Sequence, residues 1–211
     1  MFPSRSFLIA LVVAVAAGAA LGFLAPSLEV LDSPAAHVAH LVLAAGWSWG
    51  ALAFCAGLAR QSRIESAALG AISLIVGVIV YYLTKLARSQ FLTADIIEVD
   101  WSGSKTFFWC LAASFLGVIV GLAGNLARDG GFRGLPFRLM IPLLVIVETT
   151  QRLRFEAPLQ GPVVGMTWSL ERLAAVAAVI VLIAGAAINS RRRRSVGQYE
   201  ESPLRSGRQA M

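Results

Sequence analysis

An all-α integral membrane bundle of six transmembrane helices, the fifth short or broken at Pro142, is the fold class this sequence predicts. Three observations carry the expectation. Hydrophobic residues make up 57% of the 211 and charged residues only 14%, with a mean hydropathy of +0.73, a balance that favours hydrocarbon over water as solvent. The apolar residues gather in runs of ~20 rather than alternating as in a strand, and ~20 residues is what a helix needs to cross a ~30 Å hydrocarbon core. Lys and Arg concentrate between the runs, as they do in the flanks of membrane spans.

Six runs qualify in order: 7–25, 41–59, 66–85, 106–127, roughly 137–154, and 173–189. The first follows Arg5 and is rich in small residues, like a secretory signal, but it is longer than the usual 7–15 residues of a signal core and reads as an uncleaved anchor. It carries Ala10, Ala14, Gly18 and Gly22 at strict four-residue steps. Lipid gives helices no hydrophobic drive to associate, so such ladders let backbones approach closely. The ladder packs within this bundle or docks another membrane subunit. Ser66, Gly70, Ser73 and Gly77 repeat the device in the third run, as do Gly117, Gly121 and Gly124 in the fourth.

In the second run Trp47 and Trp49 lie too deep to be interfacial aromatics. His37, His40, Ala44, Trp47, Ala51 and Phe54 follow three- and four-residue spacing, so one helix starting near Ala35 would place them on one face, with Pro34 in its first turn. The His pair lacks a nearby carboxylate or Cys to complete a metal site, unless Glu29 or Asp32 joins it. Cys55 and Cys110 fall at opposite ends of their spans, too far apart for a disulfide. No metal and no cofactor is expected. Tyr81, Tyr82, Phe107, Phe108, Trp109 and Trp168 suit headgroup depth.

The fifth run is where membrane logic fails. With Arg138 at the interface, Glu148 lies about 15 Å deeper and Arg152 about 21 Å deeper, inside a polar stretch Glu-Thr-Thr-Gln-Arg-Leu-Arg. A charge facing lipid there costs a few kcal/mol. Glu148 and Arg152 stand at i and i+4 and can pair, with Gln151 beside them, and Pro142 offers a bend one turn earlier. The Gly-Pro-rich segment 160–168 then leads to Glu171 and Arg172. The candidate ligand site is therefore Glu148, Gln151, Arg152, Trp168, Glu171, Arg172 and Tyr81, in a vestibule open to the outside; the competing reading is a structural ion-pair knot.

Of the 18 Lys and Arg residues, 12 fall on the flanks that share a side with both termini, so the N- and C-termini are expected in the cytoplasm of a multi-pass cell-membrane protein. The outer loops would then be about 26–40, 87–105 and 155–170. The net charge of +6 reflects helix-end Arg and the run Arg191–Arg194, which suits anionic lipid and not nucleic acid. The domain reading is a six-span domain over 1–190 and a basic, disordered cytoplasmic tail over 191–211. No nucleophile elbow, zinc-protease motif, phosphate loop or dinucleotide turn is present, so an enzyme is the least supported class.

Gly-Ala-Ala-Leu-Gly-Phe-Leu-Ala-Pro from Gly18, Gly-Val-Ile-Val-Tyr-Tyr-Leu-Thr-Lys from Gly77 and Gly-Pro-Val-Val-Gly-Met-Thr-Trp from Gly161 resemble an uncharacterised actinobacterial family of small multi-pass membrane proteins. That resemblance implies no activity. In length, span number and the Ala10–Ala14 spacing, the chain also resembles the substrate-binding subunits of energy-coupling-factor vitamin transporters, which implies a partner subunit docked on the first helix. Two functions follow: a small-molecule-binding membrane subunit or transporter, or a non-transporting scaffold whose partners are lipids and another membrane protein.

Overall fold

The computed structural model describes residues 5–92 and 97–206. Among them the chain is all-helical: α1 (Arg5–Leu28), α2 (Pro34–Ala44), α3 (Gly46–Leu58), α4 (Arg63–Leu92), α5 (Ile97–Leu126), α6 (Leu135–Phe155), α7 (Ala157–Gln160) and α8 (Pro162–Ser206). Four helices are long and apolar enough to cross a membrane, α1, Arg63–Arg88 of α4, Gly103–Leu126 of α5 and Pro162–Asn189 of α8; counting the bent pair α2–α3 as one span makes five. The remaining expected span, the fifth, is α6, whose Arg138, Glu148, Arg152 and Arg154 set it apart from those apolar helices.

Three expectations need correction. Helix α6 is neither short nor broken: it runs for 21 residues straight through Pro142. The break lies instead in the second run, where α2 and α3 meet at 60°. That bend also dissolves the single face drawn from His37 to Phe54. Finally, α8 begins at Pro162 and not near Leu173, so Trp168 and Glu171 sit inside a helix and the expected third loop shrinks to α7 and Gly161. Gly161 has φ 92°, a left-handed value that favours glycine, and this lets the chain turn between the two helices. Part of the expected loop at 87–105, residues 93–96, lies outside the described residues, as do 207–211 of the tail; the helix α8 itself continues to Ser206.

One group of helices, α1, α3, α4 and α5, packs through its small residues. The α1 ladder faces α4: a Cβ on Gly18 would collide with the carbonyl of Ser73, and one on Gly22 with that of Gly77. Ala14, Gly18 and Gly22 are buried there, so this ladder is used within the chain. The tightest point joins three helices. Gly57 of α3 and Gly70 of α4 both press on Gly121 of α5, and Gly117 rests on Gly70 and Ala71, backbone against backbone. Asn125 closes this end: its Nδ2 donates to the carbonyls of Arg60 (2.7 Å) and Gln61 (3.1 Å) and to Ser66 Oγ (3.1 Å). Those carbonyls, just past the end of α3, have no further helical turn to satisfy them. Helices α6 and α8 pack on each other and meet the rest mainly along α2 and α3.

Candidate functional site

Nothing as strong as a proline breaks the helix between α2 and α3. Gly46 weakens the helix by about 1 kcal/mol relative to alanine, and Ser48 turns its hydroxyl back to the carbonyl of Val42. One residue, Ala45, is extended (φ −65°, ψ 142°), and α3 begins afresh at Gly46. A new helix start exposes N–H groups that need acceptors, and in apolar surroundings water does not supply them.

Glu148 supplies them. Its Oε1 accepts from the N–H of Gly46 at 2.9 Å and its Oε2 from that of Trp47 at 2.8 Å. The carboxylate thus sits on the positive end of the α3 dipole, where an anion is favoured. Glycine at 46 permits the approach, because a Cβ there would come 3.3 Å from Oε2. Arg152, one turn further on α6, holds the same carboxylate (Nη2–Oε1 2.9 Å, Nε–Oε1 3.1 Å) and reaches Glu156 at 3.2 Å. Its guanidinium lies 4.7 Å from the centroid of the Trp168 ring. Trp168 is fully buried among Leu41, Ala45 and Val164, so the ring also packs against the bend. From the other side Trp47 Nε1 donates to Glu171 Oε2 at 3.1 Å.

Glu148, Arg152, Trp168 and Glu171 are therefore brought together, with Trp47 and Gly46 added. The Glu148 carboxylate receives four donors, so it acts as a clasp between α6 and the bent pair α2–α3. Two buried atoms at this node lack a hydrogen-bond partner, Trp168 Nε1 and Glu171 Oε1. Gln151 and Arg172 are exposed and take no part in the clasp. The two histidines separate: His40 Nδ1 bonds the carbonyl of Ala25 at 2.7 Å, while His37 lines an open cavity of about 610 Å³ with Glu29 and Asp32. Among the described residues no group of three or more His, Cys, Asp or Glu could hold a metal.

Tyr81 lies elsewhere, in a second hollow on the far side of Gly46. Helices α3, α4 and α5 touch at Gly57, Gly70 and Gly121 and then splay apart, leaving a cleft of about 380 Å³. Leu74 and Ala113, both buried, form its floor with Trp49 and Val78 packed on them. Tyr81, Tyr82 and Trp109 line the rest, and the bend at Ala44 and Gly46 closes one side. Trp49 and Tyr81 meet edge to face at 6.1 Å between centroids, which fixes both rings. On α5 the lining residues Trp109 and Leu116 are exposed, so the cleft opens sideways from the bundle.

Sequence reasoning missed Gly46, Trp49, Tyr82 and Trp109 as one set. The signal was there in part: Trp47 and Trp49 are too deep for an interface, and Gly46 directly precedes them. A family model described as a family of unknown function, DUF6518, matches residues 2–197. No curated protein and no solved structure matches the chain.

Proposed function

We propose that this chain, which belongs to the family of unknown function DUF6518, is a membrane-embedded binding subunit that holds a small, largely apolar molecule in the cleft between α3, α4 and α5. The observation that carries the reading is the cleft itself, about 380 Å³ with four aromatic side chains around it. That is within the ~300–1,000 Å³ of small-molecule sites, and its walls are apolar with a few hydroxyl and indole N–H groups, as such sites usually are. The Glu148–Arg152 pair positions the site without touching the ligand: it secures the bend whose Gly46 forms one wall. Opening laterally, the cleft would fill from the bilayer. The Arg and Lys asymmetry supports cytoplasmic termini in this reading, with the basic segment after Asn189 near anionic lipid. A tag after Arg194 that is reachable from outside intact cells would reverse that placement.

The test is mass spectrometry of the purified protein, wild type against Ala112→Phe, which fills the cleft from α5. The reading expects a retained small molecule that the variant loses. Equal retention, or none in either, defeats it. A scaffold is the second reading, favoured by one observation: only 6% of the apolar stretch of α8 is buried, against 33% for α4. A partner docking through α1 would have to use its other face, which presents Leu8, Val12 and Phe23.

A further inference from the structure

The cleft has a polarity axis. At its floor Leu74 and Ala113 are buried and apolar, beside the glycine contact of α4 and α5. At the other end Tyr81 and Trp109 line it. Lys85 follows Tyr81 by one helical turn on α4, and its Nζ lies 5.3 Å from the Tyr81 ring centroid. Lys105 precedes Trp109 by one turn on α5, on the same helical face. The two helices run antiparallel, so both lysines stand one turn beyond the same end of the cleft. From Leu74 to Lys85 the axis measures about 16 Å at 1.5 Å per residue.

Resting on the reading of the cleft as a binding site, we infer that its ligand is a single-chain membrane amphiphile with an anionic head, its chain between α4 and α5 and its head at Lys85 and Lys105. An apolar slot crowned by cations complements one hydrocarbon chain ending in a negative charge. Lys85 is already paired, with Glu29 at 3.5 Å, but both side chains are close to half exposed, 46% and 48%. An ion pair so exposed contributes little, so an incoming anion displaces Glu29 at small cost. Glu29 then serves as the stand-in for the head when the cleft holds no ligand. It comes from the turn after α1, and its release would leave the ammonium free to turn toward the cleft.

The experiment uses the full chain in nanodiscs of a zwitterionic phospholipid, with dodecanoic acid or dodecanol added, and counts bound probe by native mass spectrometry. The expected result is one bound dodecanoate per chain, favoured over dodecanol by about tenfold, the size of one charge-assisted contact. Lys85→Gln should level the two probes, and Glu29→Gln should raise dodecanoate binding because it removes the competing carboxylate. A purely structural role for the Lys85–Glu29 pair predicts the reverse for Glu29→Gln, a loss of binding together with stability. Equal binding of acid and alcohol by the wild type overturns the anionic head and leaves the cleft standing. No bound probe of either kind overturns the cleft reading itself.

Discussion

The α1–α3–α4–α5 group and the α6–α8 pair are held by opposite means. In the first, side chains are removed so that backbones touch: Gly18, Gly22, Gly57, Gly70, Gly117 and Gly121 stand where any Cβ would collide with a neighbouring backbone. In the second, charge is added. Glu148 and Arg152 of α6 join the bend between α2 and α3, and Trp168 of α8 closes over them. Close packing depends on short-range dispersion over many atoms, whereas the clasp depends on a few directional bonds strengthened by poor solvation. The glycine contacts therefore resist being prised apart evenly along their length, and the clasp fails as a unit when one member is lost.

The largest effect that follows is at Glu148. Glu148→Ala leaves Arg152 without its nearer carboxylate and the N–H groups of Gly46 and Trp47 without acceptors, so thermal unfolding in detergent should show a loss of about 3–5 kcal/mol. Adding Arg152→Leu removes the stranded cation but not the stranded N–H groups, so stability should return only in part. Full recovery in the double variant would show that the ion pair, and not the capped helix, joins the two regions.

Gly121→Leu tests the other means. Its new side chain would meet the backbones of Ser66 and Gly70, which cannot swing aside as a side chain can. A loss of about 3 kcal/mol, the upper end of ordinary overpacking, is expected in the same assay. An unchanged midpoint would mean that α3, α4 and α5 do not depend on backbone contact. Asn125→Leu should cost less, about 1–2 kcal/mol, because it strands only the carbonyl of Gln61, that of Arg60 keeping the Ser66 hydroxyl, and a carbonyl tolerates this better than an N–H. A loss equal to that of Glu148→Ala would erase the distinction between the regions, making both polar knots.

The smallest effect is at Gly185 of α8, where nothing lies within 4 Å of an added Cβ. With no contact to serve, this glycine only weakens its helix, and Gly185→Ala should raise stability by about 0.5–1 kcal/mol. A decrease would reveal a partner pressed on that face and would move α8 into the close-packed class.

Local sequence determined the elements and flagged the key carboxylate. Apolar runs of membrane length became α1, α4, α5 and α8, because a helix satisfies its own backbone and needs only its own residues to do so. The four-residue ladders became the contacts of α1 with α4 and of α4 with α5, since that spacing keeps small residues on one face. Glu148 and Arg152 were legible as a pair from depth and spacing alone. The place of the break was not. Pro142 lacks one N–H, and its helix continues all the same with Val145 and Thr149 buried against its neighbours. Ala45 has no such signal and yields, because the N–H groups that its break exposes find acceptors on Glu148, more than 100 residues along the chain. A break is stable only where something else supplies the missing bonds, and that supply belongs to the packed structure. For the same reason the aromatic cleft could not be read from any one segment: its walls come from α3, α4 and α5, and only the splay above the glycine contact leaves space between them.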